Sequence, residues 1–177
     1  LSTLHEVVFP IYPKAPDYHI NDTQKAVKDV YDQLVSEVGA EHIIVMGDGS
    51  GGGLALNLVQ SLIEQNEQVP RQLYLISPLL DATLSNKDIT DDLLDKDILV
   101  SRFGVNEIMK RWADELPLTN SRVSPIYGKI EGLPPVFMFG GGREIINPDM
   151  HLFKDTLESV GQDIEFYEYP RMVHDFP

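Results

Sequence analysis

The residues most able to do chemistry cluster at Gly47-Asp48-Gly49-Ser50-Gly51-Gly52-Gly53, five glycines in seven positions. The cluster follows the apolar run His42 to Met46 (HIIVM). It precedes a stretch from about Gly52 to Asn66 whose apolar side chains Leu54, Leu58 and Leu62 fall on one helical face. A strand that enters a helix through such a turn has three readings. The first is a tight turn that needs glycine for positive φ and close packing, although five glycines exceed what packing alone requires. The second is dinucleotide binding, because Gly47, Gly49 and Gly52 fit G-x-G-x-x-G. That chemistry wants an acid at the end of the next strand, where this chain has Ile76-Ser77-Pro78 and no acid until Asp81; no P-loop lysine follows the turn either. The third is a nucleophile elbow, G-x-S-x-G, which exposes a serine for acyl transfer. An acid and then a histidine must follow in chain order, and both are available after two later strands.

The surrounding pattern is that of an α/β domain, apolar runs alternating with amphipathic stretches. Glu6 to Ile11 (EVVFPI) reads as a short strand, and Tyr12 to Ile20 as a loop. Asn21 or Asp22 can cap a helix bearing Ala26, Val27, Val30, Tyr31, Leu34 and Val38, with Gly39 ending it. Leu73 to Ile76 is the next strand. Asp81 to Arg122 breaks the rhythm and reads as an excursion with short helices near Asp91 to Val100 and Asn106 to Leu116. Then come a strand at Pro135 to Phe139, a helix at Pro148 to Val160 and a strand at Ile164 to Tyr169. Neither a repeat nor a second domain is visible, so residues 1–177 read as one domain.

Composition bounds the function. The chain has 177 residues, 42% hydrophobic and 24% charged, enough for one buried core. It has no cysteine, which excludes disulfides, thiolate metal sites and cysteine nucleophiles. The net charge of −14 argues against nucleic acid and anionic membranes as partners. No apolar run approaches the roughly 20 residues that span a bilayer. No histidine pair has metal-site spacing, and the acids Asp88, Asp91, Asp92, Asp95 and Asp97 read as a solvated face. A cytoplasmic location with no cofactor and no metal is expected.

Several segments, in order, resemble the hormone-sensitive-lipase-like branch of the α/β-hydrolase esterases. Phe9-Pro10-Ile11-Tyr12-Pro13-Lys14-Ala15-Pro16 is similar to its P-x-Y-x-x-A-P segment, and Gly47-Asp48 with Gly51-Gly52 to its G-D-S-A-G-G elbow. Ser77-Pro78-Leu79-Leu80-Asp81 and Ser124-Pro125-Ile126-Tyr127 resemble its two S-P segments, which bracket a cap region. Gly132-Leu133-Pro134-Pro135-Val136 resembles the run into the acid-bearing strand, and Met172-Val173-His174-Asp175-Phe176 the histidine loop. The resemblance implies an α/β-hydrolase core with a mostly parallel sheet, strands 4 to 8 of the family, and a cap-like excursion near 81–122. It implies hydrolysis of small acyl esters without a cofactor, with His174 as base. Glu144 would be its acid and Asp149 the alternative.

Three departures qualify that picture. Aligned without gaps, the family's serine position falls on Gly49, and Ser50 is one place late. A one-residue slip would make Ser50 the nucleophile; otherwise the fold serves binding without catalysis. The oxyanion donors would come from the backbone of Ser50 in the family register, or of Gly51 after a slip. The family's H-G-G-G segment falls upstream of Leu1, and Asp175 replaces the usual glycine. Because the family's strand 3 lies between strands 4 and 5, the chain is expected to be incomplete at both ends. A missing upstream segment or another chain would then complete the sheet.

Overall fold

The computed structural model describes residues 6–174 and 176. Its elements in chain order are α1 (Ile20–Val38), β1 (Ile44–Asp48), α2 (Gly49–Glu64), β2 (Gln72–Ile76), α3 (Asp91–Lys96), α4 (Arg102–Ala113), β3 (Val136–Gly141), α5 (Asn147–Ser159) and β4 (Ile164–Tyr169). Short 3₁₀ turns occupy Ala40–His42 and Pro125–Tyr127. The four strands form one parallel sheet in the order β1-β2-β3-β4.

The expected strand at Glu6 to Ile11 does not form. Its apolar side chains lie in water, with Val7, Phe9 and Ile11 83%, 87% and 94% exposed. β1 is therefore an edge strand among the described residues, and the sheet has four strands rather than the expected five. The other expected strands and helices are present with shifted ends. α1 starts one residue before Asn21, and Asp22 in its first turn accepts the His19 backbone N–H at 3.0 Å. The following Gly39, at φ 83°, donates its N–H to Val35 O and ends the helix. α2 begins at Gly49, because the glycines themselves form its first turn.

Strand alternation and topology together decide which surface is the core. Register aligns Val45, Leu73, Val136 and Ile164, then Gly47, Leu75, Met138 and Phe166, on one face. Leu73, Leu75, Val136 and Met138 are buried there with Leu56 and Val59 of α2 and Phe153 and Leu157 of α5. Sequential parallel strands with right-handed crossovers send every connection over the same side of the sheet. α2 covers β1 and β2, and α5 covers β3 and β4. The opposite face carries Met46, Tyr74, Phe137, Phe139 and Tyr167. Tyr74 stacks on Phe137 with ring centroids 4.8 Å apart, and Phe139 on Tyr167 at 5.1 Å.

α1 packs on α2 through a smaller cluster that holds Tyr31, Ile43, Leu58 and Leu62. The buried Tyr31 hydroxyl donates to Gln68 O at 2.8 Å, so the burial leaves that polar group satisfied.

The excursion leaves and returns at one point. The buried Ser124 hydroxyl accepts the Ala82 N–H at 2.8 Å, and Ile126 N donates to Leu80 O at 3.1 Å. The Tyr127 hydroxyl donates to Asp81 Oδ2 at 2.9 Å. The two S-P segments thus clasp each other and fix where α3 and α4 hang. No helix among the described residues is long and apolar enough to cross a membrane.

Phe153 is fully buried between α5 and the sheet. Phe153→Ala should cost about 3–5 kcal/mol through lost transfer energy and a cavity, read as a lower denaturant midpoint with unchanged slope.

Candidate functional site

Side chains capable of acid–base chemistry meet at the C-terminal ends of β2 and β3 and in the loop after β4, and the glycine-rich turn follows β1. β1 runs extended to Asp48 at φ −115°, and the chain reverses at Gly49, φ 49°. That left-handed conformation costs a residue with a Cβ about 1–2 kcal/mol, and glycine adopts it freely. Two residues earlier, a Cβ on Gly47 would stand 2.2 Å from the Gly51 carbonyl oxygen, so only glycine permits this approach of strand and helix. Leu79 N donates to Gly49 O at 2.8 Å and ties the turn to the segment after β2.

The apex of the turn is Gly49. Ser50 is the second residue of α2 and is exposed, lining a cavity of about 260 Å³ with Tyr12, Leu79, Met109 and Trp112. The left-handed residue of the turn is thus Gly49, and Ser50 follows it inside the helix. Ser50 and Gly51 contribute backbone N–H groups in the first turn of α2, where helix donors lack intrahelical partners.

The acid loop is built more tightly. After β3 the chain turns at Gly141-Gly142-Arg143-Glu144, and Glu144 is fully buried. Glu144 Oε1 accepts the Gly141 N–H in a short hydrogen bond and the Ser77 hydroxyl at 2.8 Å. Glu144 Oε2 lies 2.9 Å from His174 Nδ1. A carboxylate can only accept, so Nδ1 carries the proton of that bond and Nε2 is the basic nitrogen. Arg143 N donates to Met172 O at 3.1 Å and Gly142 N to Tyr169 O at 3.0 Å, which fastens the histidine loop to the acid loop. Of the two acids considered, the structure brings Glu144 to the histidine.

Asp149 sits in the first turn of α5, almost fully buried, and accepts from Asn86 Nδ2 at 2.9 Å. Its Oδ2 has no hydrogen-bond partner. Burial pushes its carboxyl up to about 6, against the Asn86 hydrogen bond and with help from the Asp81 charge. Asp97, expected on a solvated face, is buried as well. Its carboxylate bonds backbone N–H groups, including that of Ile145, because the excursion folds back on the acid loop. Among the described residues no three His, Asp or Glu side chains converge as metal ligands.

The sequence alone does not mark Ser77 for chemistry. Its signal was the S-P pair at the end of β2. It is fully buried at φ 43°, left-handed without being glycine, and its N–H donates to Phe139 O at 2.8 Å. Strain of that kind collects at functional sites. Ser77 also occupies the place where a dinucleotide fold would put its ribose-binding acid, and here its hydroxyl is spent on Glu144.

A family described as the alpha/beta hydrolase fold matches residues 2–177. An esterase of Acinetobacter venetianus is 32% identical over 176 residues, 98% of this chain and 58% of that protein. A triacylglycerol lipase of Mycobacterium tuberculosis is 27% identical, across 96% of this chain and 34% of that one. A Staphylococcus aureus protein solved as a candidate esterase is 64% identical, with a TM-score of 0.97 over 98% of this chain and 59% of its own. A hormone-sensitive lipase from a metagenome library is 27% identical, with a TM-score of 0.86 over 92% of this chain and 55% of its own. The chain thus spans between a third and three fifths of the length of these relatives.

The unpartnered Asp149 oxygen yields a stability prediction. A carboxyl raised in the folded state binds its proton more tightly there than in the unfolded chain. Stability should therefore fall as pH rises from about 4 to about 6. Asp149→Asn keeps an acceptor for Asn86 and removes the buried charge. It should stabilise the protein by about 1–3 kcal/mol at pH 7 and by much less at pH 4, as measured by denaturant unfolding at both pH values.

Proposed function

The chain belongs to the α/β-hydrolase-fold family, and from that premise we propose that it forms a site for small carboxylic esters in which His174 is the general base and Glu144 its orienter. The observation that supports this reading best is the buried chain of hydrogen bonds from Ser77 through Glu144 to His174. A surface histidine has no need of a fully buried carboxylate held by two further donors. Glu144 fixes the imidazole tautomer and stabilises the imidazolium that forms when Nε2 takes a proton. With Gly49 as the apex, the Ser50 backbone N–H in the first turn of α2 would serve as an oxyanion donor. The names of the relatives, esterase and lipase, agree with this substrate class.

The attacking hydroxyl is the weak point. Proton transfer requires a hydroxyl within roughly 2.6–3.2 Å of the imidazole nitrogen. The elbow apex that normally supplies it is Gly49. A serine mechanism through Ser50 would need the turn to move by one residue, against the first turn of α2. The glycine therefore favours a second reading, ester binding with little or no acyl transfer.

Hydrolysis of a chromogenic acetate ester by the full-length protein separates these. Gly49→Ser should raise turnover at least about 10²-fold, well inside the roughly 10⁶-fold cost of removing a serine nucleophile. Adding Glu144→Gln to that variant should cancel most of the gain, and Ser50→Ala should leave the parent unchanged. Turnover in the parent that disappears in Ser50→Ala would make Ser50 the nucleophile. An inert Gly49→Ser would refute the ester-hydrolase site.

A further inference from the structure

We propose that Asp97 is a positioning residue for the Glu144–His174 pair, holding from the excursion the peptide that follows Glu144. The inference rests on the reading of that pair as base and orienter. Asp97 follows α3 and is buried, unlike its exposed neighbours Asp91, Asp92 and Asp95. Its Oδ1 accepts the N–H groups of Leu99 at 3.0 Å and Val100 at 2.9 Å. Its Oδ2 crosses to the acid loop and accepts the Ile145 N–H at 2.9 Å, a contact between residues 48 positions apart.

A buried carboxylate held by three backbone donors is a rigid strut. What it fixes is the residue next to Glu144. The Glu144 side chain is aimed by its own two donors, and its main chain by the bonds on either side. Glu144 N donates to Gly141 O at 3.3 Å, Glu144 O accepts the Asn147 N–H at 3.1 Å, and Ile145 N donates to Asp97 at 2.9 Å. The peptide that follows Glu144 is thus held at both ends, and of its two bonds the Asp97 bond is the shorter and the one that comes from outside the loop. Without it, Ile145 N is a buried donor lacking its partner, and the loop relaxes toward another acceptor. That relaxation carries the Glu144 carboxylate away from Nδ1. A displacement of that kind weakens a charge-assisted hydrogen bond steeply and lowers the proton affinity of the imidazole.

The local alternative is that Asp97 only ends α3. Titration of the His174 ring by proton NMR in the full-length protein distinguishes the two, whether or not the protein turns over esters. Asp97→Ala should shift the His174 midpoint down by about half a pH unit or more, in the direction given by Glu144→Gln. Thr90→Ala removes the side-chain cap of α3, whose hydroxyl accepts Leu93 N at 3.3 Å, and should leave the midpoint in place. Asp97→Asn keeps the size of the side chain but has one acceptor oxygen for two sides, so its shift should be smaller and of the same sign. It is the variant to read if Asp97→Ala loses cooperative unfolding. An unmoved midpoint in a folded Asp97→Ala or Asp97→Asn protein overturns the proposal, as does an equal shift in Thr90→Ala. A shifted midpoint in a protein whose Gly49→Ser form is inert keeps the clamp and rejects the ester-hydrolase reading.

Discussion

A carboxylate without water must be surrounded by donors, and the Glu144 side chain draws the ends of the fold together for that reason. Its donors come from the strained residue after β2, the last residue of β3 and the histidine beyond β4. Oε1 has two of these donors and keeps one if the other is lost, whereas loss of His174 would take from Oε2 its one donor among the described residues, at a cost of several kcal/mol for a buried charge. Strand order, the glycines of the acid loop and the left-handed serine all meet that demand. The excursion joins through Asp97, so two buried carboxylates, each clothed in backbone or hydroxyl donors, stand on either side of one peptide.

The elbow works by the opposite physics. Nothing there is held by charge; the strand and helix approach because Gly47 has no side chain to keep them apart. The reversal falls on Gly49, which turns left-handed without strain but offers no hydroxyl. The chain therefore makes a tight strand-to-helix turn whose left-handed residue carries no side chain.

Much of this was legible in the sequence. HIIVM followed by glycines announced the strand, the turn and the helix, and the ungapped spacing placed Gly49 at the apex. Met172-Val173-His174 marked the segment after the last strand that carries the histidine, and the acid nearest the end of the third strand is the one bonded to His174. Other features depended on contacts that no local pattern contains. Glu6 to Ile11 has the apolar character of a strand but lacks a partner among the described residues, and strand propensity without pairing does not make a strand. Asp97 looks like its exposed neighbours in sequence, and its burial arises from a contact with a loop 48 residues away. Ser77 is one of two S-P serines, and only tertiary structure shows that one meets the acid and the other the excursion.

The one-sided course of the crossovers has a colloidal consequence. The rings of Tyr74, Phe137, Phe139 and Tyr167 form a band on the sheet surface opposite the helices, beside a strand that is at the edge among the described residues. Two such surfaces gain free energy by meeting, since each meeting releases water from apolar area. What opposes them is long-range repulsion from the excess of 28 acidic over 14 basic side chains. That repulsion fades as the acids take up protons and as salt shortens its reach. Dispersal of this chain in water is thus governed by its acidic surface, and the margin narrows toward its isoelectric point near 4.6.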